Sequence, residues 1–199
     1  MNSVYTKTYI APPVNLREVL RYIGAKQTSA ELDEMIRECL IEAEKKLIYK
    51  ICYTEVDLSI GENILLADTV ICSEDLKKNL SGCDRAVIFA ATVGLELDRL
   101  IARYSAISPA RALIFDGIGA ERVESLCNLF NEDLAETVAR EGRLLRPRFS
   151  AGYGDFPIEV QRDIFRLLDC PHKLGLTLND SMLMSPSKSV TAIIGVYKQ

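Results

Sequence analysis

The stretch Arg148-Phe149-Ser150-Ala151-Gly152-Tyr153-Gly154-Asp155-Phe156-Pro157 gathers residue types suited to holding a ligand. A guanidinium presents a planar fork of donors that matches a carboxylate at two points. Gly152, lacking a Cβ, lets backbone approach a bound molecule closely. Tyr153 offers a π face to a flat base or to a positive charge. Such a set fits a zwitterionic sulfonium that carries a nucleoside. On composition alone, an ordinary connecting loop holds the same residues.

Other patterns point to simpler roles. Gly117-Ile118-Gly119 begins a dinucleotide-type loop, but the third glycine would fall at position 122, which is Arg122. The five residues before it extend a helix begun at Ser108, so both glycines are expected to allow close packing. Ala90 to Gly94 joins a strand to a helix, a place where amides can face an anion; an ordinary strand-to-helix turn is the expectation. Asp169-Cys-Pro-His172 is one residue longer than the Asp-x-His spacing of proteins that ligate cobalamin through histidine. His172 and Lys173 are instead expected at a helix C-terminus before Gly175. With one histidine in the chain, no nucleophile elbow and no HExxH, conventional acid–base or nucleophilic catalysis lacks support.

The elements that must position the loop are legible from periodicity. Asn15 is expected to cap a short helix through Leu16, Val19, Leu20 and Ile23 that stops at Gly24. Thr28 and Glu31 match a capping box, ahead of apolar residues at helical spacing from Leu32 to Leu47. Ile51 to Ile60 and Ile64 to Cys72 read as neighbouring strands around a Gly61-Glu62-Asn63 turn. Ser73 starts a short helix, Arg85 to Ala91 a buried strand, and Gly94 turns the chain into a helix carrying Leu97, Leu100 and Ile101. Ser108-Pro109, cap followed by proline, opens an apolar-patterned helix to Val138, about 45 Å long if unbroken. A helix from about Ile158 to Leu168 comes after the loop, and Ser189 to Val196 is strand-like. This irregular alternation gives an α+β fold, with residues 1–199 as a single domain.

Composition narrows the partners. The chain is 48% hydrophobic and 26% charged with a formal net charge of −4, a globular balance without the clustered basic face of a nucleic-acid binder. No apolar stretch approaches the length of a membrane span or a signal segment, so a cytoplasmic protein is expected. Six cysteines without a CxxC pair read as buried reduced thiols, with no metal site.

The loop and the segment after it resemble the activation module of cobalamin-dependent methionine synthase. That module carries Arg-x-x-x-Gly-Tyr, then a helix ending in Leu-Leu, Gly-x-x-Leu-x-acid-Ser, Met-x-Pro and Ser-Val. Here Arg148, Gly152 and Tyr153 precede Leu167-Leu168, Gly175, Leu178, Asp180-Ser181, Met184, Pro186 and Ser189-Val190. The match spans about the last 50 residues and extends upstream to Glu124, which corresponds to a helix glutamate lining the family's ligand site. Asn15 stands nearest to a family aspartate at the ligand.

The resemblance implies a twisted antiparallel sheet with several helices, one of them long, and S-adenosylmethionine as ligand. Arg148 would hold its carboxylate, Ser150, Ala151 and Gly152 would contribute backbone, Tyr153 a flat or charged face, and Glu124 would take hydroxyl or ammonium groups. It implies no catalytic residue of the usual kind. The role would be that of a free-standing reactivation subunit: cob(II)alamin, carried by the synthase, is reductively methylated with an electron from flavodoxin or a similar donor. A ligand-free docking module for a corrinoid protein and an independent S-adenosylmethionine-dependent methyltransferase are the competing readings.

Overall fold

The computed structural model describes residues 3–198. Three long strands, β2 (Lys50–Ile60), β5 (Cys83–Thr92) and β9 (Ser189–Lys198), lie side by side and antiparallel at the centre. On the far side of β2, β1 (Tyr5–Thr8) pairs with its first half, and β3 (Ile64–Leu66) with its last three residues. The edge beyond β3 is β4 (Thr69–Ile71), and β6 (Arg143–Leu145) borders β9. Among the described residues this makes a seven-stranded sheet, beside a separate two-stranded pair of β7 (Thr177–Leu178) and β8 (Met184–Ser185).

Helices cover both faces, which is why the central strands read as near-continuous apolar runs. Side chains alternate between faces along a strand. Val87, Phe89 and Ala91 of β5 point, with Ala192, Ile194 and Val196 of β9, toward one helical layer. That layer holds α1 (Leu16–Tyr22), α2 (Ala30–Glu44), α4 (Glu96–Ile107) and α5 (Pro109–Ala139). Ala86, Ile88 and Ala90 point, with Ile193, into the second core. There they meet α3 (Glu74–Asn79), α6 (Gln161–Leu168) and α7 (Cys170–Leu174). The mixed helical and antiparallel architecture is the one expected, and the 31-residue α5 runs roughly 46 Å.

Most sequence-predicted elements appear in place, with informative differences at their ends. Asn15 does cap α1, accepting from the amides of Arg17 and Glu18. For α2 the cap is Ser29, not Thr28: its hydroxyl accepts from Leu32 N at 3.2 Å. That helix also ends at Glu44, before Leu47. Ser108 precedes Pro109 as expected, but its side chain makes no cap hydrogen bond; its carbonyl accepts from Ala112 N. The expected strand from Ile64 to Cys72 is a hairpin instead, folded at Ala67 with φ +53°. Tight hairpin turns need positive φ, usually met by Gly or Asn, so alanine there gave no turn signal. Gly117 and Gly119 do sit within α5. A Cβ at Gly117 would lie 2.5 Å from Ile23 Cγ2, and one at Gly119 would overlap Leu97. Close helix packing is their role. Cys39, Cys52, Cys127 and Cys170 are buried, whereas Cys72 is exposed and Cys83 half-buried.

Candidate functional site

The β9 edge decides where a site can form. Leaving β6, the chain follows β9 for four more residues: Arg146 N donates to Gly195 O, and Phe149 and Ile193 exchange backbone bonds of 2.9 Å in both directions. After Phe149 it departs. In an antiparallel ladder the backbone groups of alternate residues face the same neighbour. Since Ile193 faces Phe149, Thr191 and Ser189 direct their N–H and C=O groups to the same side. Among the described residues no strand pairs with β9 there ahead of Ile193. The departing loop therefore leaves an unpaired stretch of sheet edge as one wall of a cleft.

That cleft has a volume of about 580 Å³, within the ~300–1,000 Å³ range typical of small-molecule sites. Glu124 from α5 enters from one side, Arg148, Ser150, Ala151 and Tyr153 from the loop, and Ser189, Val190 and Thr191 from β9. Phe149, Ile158 and Met184 supply apolar surface, and Gln161 a buried polar group. Gln161 joins two walls: its Nε2 donates to Met182 O at 3.0 Å and its Oε1 accepts from the Thr191 hydroxyl at 3.4 Å.

Arg148 does not stand alone. One Nη donates to Asn128 Oδ1 at 2.9 Å and the other to the Glu124 carboxylate. Glu124 and Asn128 are one turn apart on α5, so a single helix face holds the whole fork. A ligand carboxylate taken at two points must share or displace these partners. Cys127, between them in sequence, is buried in the core beneath the pair, where burial pushes its thiol up to about 12. It is an inert packing residue.

Of the residues singled out in the sequence, Glu124, Arg148, Ser150, Ala151 and Tyr153 line the cleft, and Gly152 does not. Gly152 adopts φ +92° and donates its N–H to Phe156 O at 2.9 Å. A Cβ there would sit 3.0 Å from Ile158 Cδ1. Its work is to turn the loop, which a side chain would resist. Tyr153, 68% exposed, stands at the rim with its ring accessible.

Sequence reasoning missed Asn128 and Gln161. Asn128 was findable as the i+4 neighbour of Glu124; Gln161 looked like any polar residue at a helix start. Met184, Ser189 and Val190, noted for their order along the chain, turn out to line the cleft. Beyond Glu124 lies a smaller polar pocket of about 300 Å³, with Asn15, Glu18, Glu121 and Asn128 in its wall. Asn15 and Glu121 are directly linked, Asn15 N donating to Glu121 Oε1 at 3.0 Å. Among the described residues no cluster of His, Cys, Asp and Glu is arranged to hold a metal ion, and no helix is long and apolar enough to cross a membrane. Ala90–Thr92 are the end of β5, and an ordinary strand-to-helix connection follows them, with the Gly94 N–H bonded to Thr92 Oγ1 at 3.1 Å.

Comparison with protein-family models finds no match, and comparison with curated protein sequences finds none either. Among solved structures, this chain is similar to the crystal structure of the MetH reactivation domain bound to AdoHcy. The TM-score is 0.70 at 16% identity, covering 98% of this chain and 78% of that one. The chain has the fold of that reactivation domain.

Proposed function

We propose that the cleft at the open edge of β9 binds S-adenosylmethionine, and that the chain, acting as one domain in the cytoplasm, reactivates a cobalamin-dependent methionine synthase. The observation that carries this reading is convergence. Arg148, Glu124, Tyr153 and free strand edge meet in one cleft, in a fold whose solved relative holds AdoHcy.

The residues suit such a ligand. Its amino-acid end carries both charges, and the Arg148–Glu124 pair offers both complements side by side. Exchange is feasible because that pair is partly solvated, where ion pairs contribute little net free energy. Thr191 and Ser189 offer backbone donors and acceptors to polar edges of the ligand, while Phe149, Ile158 and Met184 exclude water from its flatter parts. Tyr153 at the rim can face the adenine or the sulfonium charge. Gly152 and the loop backbone set the distance between them.

When bound, S-adenosylmethionine supplies an electrophilic methyl group, and cobalamin belongs to the partner. What this chain contributes is placement: it holds the ligand in one orientation at an exposed rim, so that the methyl can face a partner's cofactor. No acid–base group is required of it, in keeping with a cleft in whose wall the charged side chains among the described residues, Glu124 and Arg148, form a pair. Flavodoxin or a similar carrier would supply the electron for reductive methylation of cob(II)alamin.

The test is to follow the corrinoid spectrum of a cobalt(II) synthase given reduced flavodoxin, S-adenosylmethionine and this chain. Methylcobalamin should form with the wild type and be strongly reduced with Arg148→Ala. Equal formation with and without the chain would refute the role. The engagement of Arg148 by Glu124 and Asn128 favours one second reading, a ligand-free docking module. That version predicts a stable complex with a corrinoid protein and no effect of S-adenosylmethionine.

A further inference from the structure

Tyr153 lies between two hollows. On one side is the ligand cleft at the β9 edge. On the other is a shallower pocket of about 540 Å³, walled by Asp75, Lys78, Arg146, Phe149 and Gly154. A tyrosine on a free loop would swing between them. The backbone around this one is fixed at both ends.

Before it, Tyr153 N donates to Ser150 O at 3.3 Å, and Phe156 N donates back to Tyr153 O at 3.0 Å. After it, the Asp155 carboxylate reaches across to the start of α3. It accepts from Glu74 N at 2.7 Å, from Asp75 N at 3.2 Å and from the Ser73 hydroxyl. In return Asp155 N donates to Asp75 Oδ2 at 3.3 Å. The Ser73 hydroxyl also serves Leu76 N at 3.0 Å, so the anchor is continuous with the cap of the helix. Gly154, at φ +55°, lies so close that a Cβ would overlap the Asp75 carboxylate. Hydrogen bonds from these donors hold the Asp155 carboxyl below the usual carboxylate range, so the anchor is charged at neutral pH.

We propose that Asp155 is a positioning residue for Tyr153. By tying the turn to Ser73, Glu74 and Asp75 it makes the ring a fixed wall of the ligand cleft, not a lid that moves into the second hollow. This deepens the ligand-binding reading and rests on it. Ligand affinity then gains from a ring carried on backbone whose place is set beforehand, since less ordering cost falls on binding.

The experiment is a double-mutant cycle on binding of S-adenosylhomocysteine, measured by calorimetry with Asp155→Ala, Tyr153→Ala and both together. Amide hydrogen exchange over residues 150–157 is followed on each protein without added ligand. Asp155→Ala is expected to weaken binding roughly tenfold, as is Tyr153→Ala. The double variant should bind no more weakly than Tyr153→Ala, because Asp155 acts through the ring. Asp155→Asn, which keeps one acceptor oxygen and is the milder change should Asp155→Ala fold poorly, should recover part of the loss. Exchange at 150–157 should rise in Asp155→Ala and only partly in Asp155→Asn. Additive losses in the cycle, or unchanged affinity in Asp155→Ala, would overturn the proposal. Wild-type protein that binds no S-adenosylhomocysteine, but whose loop exchange still depends on Asp155, would sink the ligand reading and with it the functional role of the anchor. Exchange unaffected by Asp155→Ala would sink the anchor alone.

Discussion

The most consequential single substitution for the fold around the site is Arg122→Met. Arg122 is fully buried, on α5 one residue from Glu121, which is 1% exposed. Its Nε and one Nη donate to the two Glu121 oxygens. It also donates to Pro12 O at 2.6 Å and Pro13 O at 2.9 Å, and lies 3.5 Å from Glu44 Oε1. Glu121 in turn accepts from Asn15 N and, at 2.7 Å, from the Ser125 hydroxyl. Methionine preserves most of the volume and none of the donors. It leaves a buried carboxylate without its counter-charge and two proline carbonyls without a partner. Removing one member of a buried pair costs about 3–5 kcal/mol. Two bonds remain on Glu121, which places the expectation toward the lower half of that range. For a chain of this size that lowers the melting temperature by on the order of 10 °C. Urea unfolding followed by far-ultraviolet circular dichroism measures it. Because Asn15 borders the polar pocket beside Glu124, hydrogen exchange at residues 10–16 should rise well before global unfolding. A loss under 1 kcal/mol, with no change in exchange at that segment, would show that the buried pair does not clamp the N-terminal segment to α5.

Further outcomes are expected from the same geometry. Phe89→Ala removes a ring at 0% exposure that packs at a tilt against Phe130, centroids 5.0 Å apart, and should cost about 3–5 kcal/mol in urea unfolding. Gly154→Ala, strained by φ +55° and blocked by Asp75, should destabilise by about 1–3 kcal/mol, read as a lower midpoint in thermal melts. Asp155, Asp133 and Asp84 are all held below the ordinary carboxylate range, first by the Ser73 hydroxyl, Lys7 and Arg143 respectively. Depressed carboxylates contribute stability that is present above their unfolded value and lost as pH falls through the folded one. Melting temperature should therefore be flat from about pH 6 to 8 and fall below about pH 4; a fall centred near pH 6 would contradict this.

The sequence was most readable where one physical rule acted alone. The run from Ala86 to Ala91 reads as a strand because both its faces are covered, and α5 reads as one helix because its apolar period holds from Ile114 to Val138. The failures lie where several rules meet. β1 is exposed at every position, so no alternation marks it; pairing with β2 alone makes it a strand. Ser29 and Thr28 offer neighbouring hydroxyls, and backbone geometry chose Ser29. In the site, the ordered motifs of the family resemblance singled out Arg148 and Tyr153, and the fold brings both to the cleft. Their partners were harder to find, since Asn128 and Gln161 acquire meaning only once α5 and α6 converge on the loop. The role of Gly152 shifted as well. Its freedom serves the turn against Ile158, and the unpaired strand edge at Thr191 is one that no pattern in the sequence exposes.

The central claim, that Arg148 and its neighbours bind a nucleoside sulfonium amino acid, is tested most directly by titrating S-adenosylmethionine into the purified chain in a calorimeter. Saturable binding at one site per chain, weakened at least roughly tenfold by Arg148→Ala with an unchanged melting temperature, is the outcome this account predicts. No binding heat at millimolar ligand, or equal affinity in the two proteins, would contradict it.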